Sequence, residues 1–205
     1  RSSCSEAATS RPSGSSEASS VNRSFRRLAA LLAVLAGALA GPAAAQGVLS
    51  EAQAKAAFVL NFARYVEWPE RSFATRDAPL LICLLGRDSL ASALAALENR
   101  PVQSRLVSVH MVASVDEARP CHVLFIGASE TRRLTLLLRS LAGQAVLTVS
   151  DADGFIDAGG AIGIVQGDGR LQFEVNRQTL EQAQLKASAN LLKLARNLAD
   201  FKGKN

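Results

Sequence analysis

The sequence has few of the side chains from which metal and catalytic centres are built. It contains two histidines, three cysteines, one tryptophan and one methionine in 205 residues. His110 and His122 lie in apolar, strand-like segments without the further ligands of a zinc site, which needs three or four. No G-x-G-x-x-G sequence or phosphate-binding loop follows a strand-like segment. We therefore expect no metal, no cofactor and no enzymatic activity.

A large surplus of positive charge is also missing from most of the chain. The formal net charge is +5, but five of the 23 basic residues and two of the 18 acidic ones precede residue 46. Residues 46–205 therefore carry 18 basic and 16 acidic residues, which is a net charge of +2. These charges are interspersed, whereas a nucleic-acid-binding protein carries a basic patch or stripe. We expect no nucleic-acid partner.

The first 20 residues lack the composition of a folded domain. Residues 1–20 are rich in serine and poor in large apolar side chains. Such a segment cannot bury enough apolar surface to offset the entropy of ordering its backbone. We expect it to be disordered, or to be sequence upstream of a true start at Val21, where a GTG start codon is read as valine.

The next 25 residues have the order of a secretory signal peptide. Basic residues precede the apolar run 28–40, and a site of small residues follows it and ends at Ala45. The run is shorter than the roughly 20 residues that a membrane-spanning helix needs. We predict a signal peptide at 21–45 that is cleaved after Ala45. The exported chain, 46–205, is then a single domain without a transmembrane span of its own.

Two cysteines remain in the exported chain, because Cys4 precedes the cleavage site. An even number in an oxidising compartment favours a disulfide between Cys83 and Cys121. Cys83 lies within the apolar segment LLICLLG, where burial disfavours a reactive thiolate. If the two strands that hold the cysteines are neighbours, as in a flavodoxin-like sheet, the bridge must run diagonally between them or the strand pairing must be shifted. The alternative is a pair of buried free thiols.

Apolar runs alternate with amphipathic segments along the exported chain, which predicts alternating strands and helices. The predicted helices are 50–66 with Ser50 as N-cap, 88–99 capped by Asp88 or Ser89, a short turn at 114–119, 129–143 capped by Ser129, the short TLEQAQ segment, and a final helix capped near Ser188. The predicted strands are 79–86, 106–112, 121–127, 145–151 and a hairpin over 161–176 that turns at 167–169.

Alternation of this kind is typical of an α/β protein with a mostly parallel sheet. We predict a three-layer sandwich of the Rossmann or flavodoxin-like type. The C-terminal hairpin adds an antiparallel edge to the sheet, and the final helix closes the domain.

The only tyrosine and the only tryptophan lie three residues apart, at the end of the first predicted helix. Helical spacing places Tyr65 beside Phe58 and Phe62, so we predict that it belongs to the core. Trp68 precedes Pro69, which disfavours helical backbone at the residue before it. Two placements of Trp68 stay open: it covers the sheet edge, or it is partly exposed and contacts a partner.

The segment SDADGF, at the end of a predicted strand, places two carboxylates close together. Asp151 and Asp153 have a spacing that suits a divalent cation or acid–base chemistry, but Asp and Gly are also the usual residues of such turns. We favour the turn. Because ligands bind at strand ends in this class of fold, Asp151, Gly154 and Phe155 are candidate ligand or partner contacts.

Six blocks of sequence, taken together, resemble the YfiR family of small periplasmic proteins. The blocks are KAAFVLNFARYVEWP (55–69), PLLICLLGRD (79–88), CHVLFIGASE (121–130), VLTVSDADGFIDAGGAIGIV (146–165), LQFEVN (171–176) and NLLKLARNL (190–198). The resemblance implies a periplasmic, non-enzymatic regulator. Such a protein would bind the periplasmic sensor domain of an inner-membrane diguanylate cyclase and hold it inactive, which lowers cyclic di-GMP and biofilm formation.

The same resemblance implies a homodimer whose inhibitory activity depends on its disulfide state. Cys83 and Cys121 match one cysteine pair of the family. Some relatives carry a second pair near the GFIDAGG loop, but residues 154–160 contain no cysteine here. The main alternative function is a periplasmic receptor for a small ligand, without a cyclase partner.

Overall fold

The computed structural model describes residues 50–199, with side chains up to residue 196. The predictions for residues 1–45, including the signal peptide and its cleavage after Ala45, lie outside the described residues. The α-helices are α1 Glu51–Tyr65, α2 Ala91–Ala95, α3 Val115–Ala118, α4 Leu134–Ser140, α5 Arg177–Gln182 and α6 Ala189–Leu194. Two 3-10 helices span Glu70–Ser72 and Ala128–Arg133.

The ten strands within residues 50–199 form one large and one small sheet. The strands are β1 Val66–Glu67, β2 Leu80–Leu85, β3 Pro101–Val102, β4 Arg105–Val112, β5 Val123–Ile126, β6 Leu147–Ser150, β7 Ile162–Gly167, β8 Arg170–Asn176, β9 Lys186–Ala187 and β10 Asn197–Ala199. The large sheet has the order β10-β8-β7-β6-β5-β2-β4-β3, and β1 pairs with β9 separately.

Most of the large sheet is parallel, as the alternation of strands and helices predicts. Strands β4, β2, β5, β6 and β7 run parallel to one another. The hairpin partner β8 is antiparallel to β7, and the short β3 is antiparallel to β4. The predicted hairpin turn is confirmed at Asp168 and Gly169, which both have positive φ, the backbone that a two-residue hairpin turn requires.

Successive side chains of the central strands face opposite sides of the sheet, and each side has its own core. On one side, Ile82 and Leu84 of β2 pack in a cluster with Phe62 of α1. On the other side, Leu85 packs in a cluster with Leu137 of α4. Helices therefore cover both faces of the sheet, because the central strands carry apolar side chains on both faces.

Two predicted helices are shorter than their sequence patterns suggest. The segment 88–99 is α-helical only at Ala91–Ala95, and 129–143 begins as a 3-10 helix before α4. Ser129 does not cap its helix, because its hydroxyl oxygen accepts the N–H of Arg87 at 2.8 Å. Asp88 accepts the N–H groups of Leu90 and Ala128, at 2.8 and 3.0 Å. These hydrogen bonds hold the loop after β2 against the loop after β5. Because the two side chains bond in this way, the helices predicted to start at them begin later.

The prediction of one closing helix was only partly right. Ser188 caps α6 as predicted and accepts the N–H of Leu191 at 3.2 Å. The helix ends at Leu194, however, and Asn197–Ala199 forms β10 beside β8. The N–H of Arg196 already donates to the Phe173 carbonyl at 2.9 Å, so pairing with the sheet edge replaces further helix.

The connection from β6 to β7 contains turns, where a parallel pair usually has a helix. Phe155 and Ile156 of this connection are buried in the same cluster as α4, and so take the place of a helix on that face. Gly160 lies directly under the Phe155 ring: a Cβ there would be 2.2 Å from Phe155 Cε1. Only glycine allows this approach.

Replacing Gly160 with alanine is expected to destabilise the protein by about 1–3 kcal/mol, because the added methyl group displaces the buried ring. Urea unfolding at equilibrium measures the loss. The matched control is the same change in a Phe155→Leu background, where the smaller side chain leaves room for the methyl group. An equal cost in both backgrounds would show that the ring does not fill this space.

Candidate functional site

A cleft of about 590 Å³ opens at the carboxyl end of β6. Its walls come from the first turns of α1, the 151–157 connection, strands β7 and β8, and Arg196. Ser50 fixes the start of α1, since its hydroxyl accepts the N–H of Gln53 at 3.2 Å and its own N–H donates to the Gln53 side chain at 2.9 Å. This reciprocal cap, at the predicted residue, positions the α1 side chains that face the cleft.

Lys55 is the central cation of this cleft. Its ammonium group lies 2.5 Å from Asp151 Oδ2 and 2.7 Å from Glu51 Oε1. Burial lowers the pKa of Lys55, but the hydrogen bonds and charges of Asp151 and Glu51 outweigh burial and raise the pKa above its usual value. Asp151 therefore lies against a protonated lysine and acts as an anchor for α1.

The rest of the cleft is acidic. Asp153, Asp157 and Glu174 also line it, and the second cation is Arg196. Five carboxylates against two cations give the lining a formal charge of −3. The described residues contain no group of three or more His, Cys, Asp or Glu side chains that could hold a metal ion.

The three candidate residues at this strand end come together along the cleft. Asp151, Gly154 and Phe155 all line it, although the Phe155 side chain is only 2% exposed and belongs to the core. Sequence reasoning missed Lys55, which lies 96 residues from Asp151 in the chain. No local pattern indicates this pair, because it depends on how α1 packs beside β6.

Trp68 is buried and Tyr65 is exposed. Trp68 is 8% exposed, and its indole N–H donates to the His122 carbonyl at 3.1 Å, so its side chain belongs to the core. The prediction of a buried Tyr65 was wrong: it is 42% exposed. Tyr65 is the last residue of α1, and the aromatic stripe of Phe58 and Phe62 packs on Phe173 without it.

His122 contacts two other aromatic rings, those of Trp68 and Phe73. Its Nδ1 accepts the N–H of Leu81 at 3.0 Å, so the proton is on Nε2, which donates to the Ser72 carbonyl at 3.1 Å. The ring stacks on Phe73, with centroids 4.2 Å apart. Burial, with a smaller contribution from the charge of Arg105, lowers the pKa of His122 to about 4 against the opposing effect of the Ser72 hydrogen bond. His122 is therefore a neutral structural residue at neutral pH.

A disulfide joins Cys83 and Cys121, with Cα atoms 6.0 Å apart. Cys83 pairs in register with Leu124, so the bridge runs diagonally to a residue three positions before that partner. It links the middle of β2 to the turn that precedes β5. The predicted pairing is confirmed, and the alternative of two free thiols is not observed.

These features define a small, disulfide-linked α/β domain with an acidic surface cleft. Residues 52–196 match the family model described as YfiR/HmsC-like. The match covers more than half of the chain, and the protein belongs to the YfiR/HmsC-like family. Membership implies a periplasmic regulator of diguanylate cyclase signalling with a partner in the membrane, a class of regulators rather than enzymes. Within residues 50–199, no helix has the length and apolar character to cross a bilayer.

Proposed function

We propose that this protein binds the periplasmic sensor domain of an inner-membrane signalling protein, a diguanylate cyclase, and holds the cyclase inactive. The result is a lower level of cyclic di-GMP and less biofilm. The observation that carries the proposal is the family match over residues 52–196. A leader sequence with the order of a signal peptide supports export to the compartment in which such a sensor domain lies.

The acidic connection after β6 is the contact surface that we favour for the partner. Asp153, Gly154 and Asp157 are exposed there, above the buried Phe155. Like-charged groups on a rigid surface select a partner of opposite charge and accelerate its association. Phe155, another candidate contact, would act by holding this connection in place, because its side chain is buried. Trp68 is buried as well, but it bonds to His122 before the start of β5 and so lies at the opposite end of the parallel strands from this connection. We propose that the active form is a homodimer.

Deletion of the gene, with measurement of cyclic di-GMP in the deletion strain, tests the function. We expect cyclic di-GMP to rise, and to fall again when the wild-type gene is restored. The exported chain, used as bait on solubilised inner membranes, is expected to capture a cyclase. Unchanged cyclic di-GMP together with failure to capture a cyclase would reject the proposal.

Replacing Asp153 and Asp157 with lysine is expected to weaken capture of the cyclase by about tenfold, because the surface charge reverses. Both side chains are exposed, so the melting temperature should stay within about 2 °C of wild type. Quantitative binding of the purified sensor domain measures the change. Glu70→Lys combined with Asp77→Lys is the matched control, as it reverses two exposed charges elsewhere. Equal binding by both variants would place the contact on another surface.

The cleft supports a second candidate function, a receptor for a small ligand. Its volume of about 590 Å³ is in the range of ligand sites, about 300–1,000 Å³. The order of the parallel strands, β4-β2-β5-β6-β7, supports a flavodoxin-like arrangement, in which ligands bind beyond the carboxyl ends of the strands. A thermal-shift screen tests this function, since a ligand at 100 times its dissociation constant stabilises by about 2.7 kcal/mol.

A further inference from the structure

Strand β4 leaves part of one edge of the large sheet open. On its inner side, β4 pairs with β2 from Val107 to Val112. On its outer side, the short strand β3 pairs only with Arg105 and Leu106. The open part, residues 108–112, is called the β4 edge below. An open edge is a ready template for another strand, because its backbone N–H and C=O groups lack partners.

Alternate residues of the β4 edge direct their backbone groups away from β2. The carbonyl of Val112 accepts the N–H of Gly86 at 3.4 Å, so Val112 faces β2. Its alternates Val109 and Met111 therefore face outward. The N–H of Val109 donates to the Glu98 carboxylate at 2.6 Å. Among the described residues, the N–H of Met111 and the carbonyls of Val109 and Met111 have no hydrogen-bond partner.

The side chains of this strand give the edge little protection. Edge strands usually repel another strand with charged side chains or proline, but the segment LVSVHMV (106–112) contains no Asp, Glu, Lys, Arg or Pro. Leu106 and Met111 are 53% and 52% exposed. Glu98 covers the Val109 N–H, but its side chain is exposed and can turn away.

A second copy of this chain offers the same backbone groups at the same spacing. In an antiparallel pair with a two-fold axis at His110, Met111 of each chain lies opposite Val109 of the other. Each of these two residue pairs exchanges two hydrogen bonds. Once Glu98 has turned away, the pairing uses every outward-facing group of Val109 and Met111 in both chains.

The residues that flank the β4 edge also match in this register. The N–H and C=O of Val107 already bond to Arg100 and Asn99, at 3.0 and 2.9 Å. Opposite Val107 lies Ala113 of the second copy, whose N–H donates to Glu117 within its own chain at 3.0 Å. Groups that are already bonded therefore meet one another at both ends, and no open group is left over.

We propose that two copies of this protein pair through the β4 edge, antiparallel and with the two-fold axis at His110. The interface is isologous, since each copy contributes the same surface. Met111 packs across the strands against Val109 of the second copy, on the same face of the joined sheet. The proposal rests on the homodimer of the proposed function and identifies its contact surface.

Pairing at this edge leaves the acidic connection after β6 free in both copies. Strands β5 and β2 separate β6 from β4. The two acidic connections of the dimer then lie roughly 35 Å apart, at about 4.8 Å per strand. A dimer with two such surfaces binds a partner that is itself dimeric more tightly than a single copy does.

Sedimentation of the purified protein over a range of concentrations measures the dimer. Met111→Lys is expected to raise the dissociation constant of the dimer about tenfold or more, because a lysine on the edge opposes strand pairing. Leu136→Lys is the matched control, since Leu136 is 67% exposed on α4, and it should leave the constant unchanged. Both side chains are exposed in the single chain, so both variants should fold, which circular dichroism checks.

Cysteine cross-linking tests the register. Val109→Cys and Met111→Cys are made in separate chains, which are then mixed and oxidised. Opposite residues of a hydrogen-bonded antiparallel pair have Cα atoms about 5.5 Å apart, within the range of a disulfide. We expect cross-linked dimer from the mixture and little from either variant alone. The native cysteines are joined to each other, and Cys83 lies beside His110 on the opposite face of the sheet from both new cysteines.

Equal effects of Met111→Lys and Leu136→Lys would overturn the proposal and would assign the dimer to another surface. Cross-linking of either cysteine variant alone, as efficient as in the mixture, would overturn the register. A wild-type protein that is monomeric at every concentration tested would reject both this interface and the homodimer of the proposed function. Capture of the cyclase is measured separately, so inhibition of a cyclase stands or falls on its own experiment.

Discussion

Replacing Cys83 with serine is expected to lower the free energy of unfolding by about 4 kcal/mol, in the loop-entropy account of disulfides. The bridge joins residues 38 positions apart, so its loss frees a long loop in the unfolded chain. Single domains are stable by about 5–15 kcal/mol, and this loss is a large part of that total. Urea unfolding of wild type and variant, with the slope checked for equality, measures it.

If the disulfide also controls binding of the partner, Cys83→Ser will release the captured cyclase and raise cyclic di-GMP. Cys121→Ser is the matched variant, since it opens the same bridge from the other end. Reduction of the wild type should lower its stability to the level of the variants, and reductant should leave the variants unchanged. A Cys83→Ser protein that melts and binds like wild type would rule out the switch.

Acidification is expected to destabilise the protein through His122. The pKa of this side chain falls from 6.5 to about 4 on folding, so between these two pH values the unfolded chain binds a proton that the native state excludes. Stability is therefore full above about pH 6.5, falls as the pH drops to about 4, and levels off below it for this group. The loss is on the order of 3 kcal/mol. Urea unfolding from pH 7 to pH 4 measures it.

The main physical reason is burial, which disfavours the charged imidazolium, and the hydrogen bond at Nδ1 acts in the same direction. A protonated imidazole cannot accept the N–H of Leu81, which ties His122 to the start of β2. His122→Gln keeps an acceptor and a donor but does not titrate, so its stability should depend less on pH than that of the wild type. His110→Gln, at an exposed position, is the control. An equal pH dependence in wild type and His122→Gln would assign the acid sensitivity to carboxylates.

The parts of the fold that depend on neighbours in the chain were predictable. The apolar runs identified β2, β5 and β6, because a strand buried on both faces has few polar positions. Ser50 and Ser188 were recognised as caps, since a cap needs only the few residues that follow it. The disulfide was expected because the predicted compartment is oxidising and the exported chain has an even number of cysteines. The acidic strand-end segment was also found, although its partner Lys55 was not.

The sequence by itself thus determined the alternation of strands and helices, the caps at Ser50 and Ser188 and the family resemblance, and it favoured the pairing of Cys83 with Cys121. Only the tertiary structure decided that Lys55 lies against Asp151, that the chain after Leu194 joins the sheet as β10, and that Trp68 is buried while Tyr65 is exposed. A local sequence pattern reflects interactions between residues a few positions apart in the chain. These three results depend on contacts between segments far apart in sequence, where packing and backbone pairing outweigh local preference.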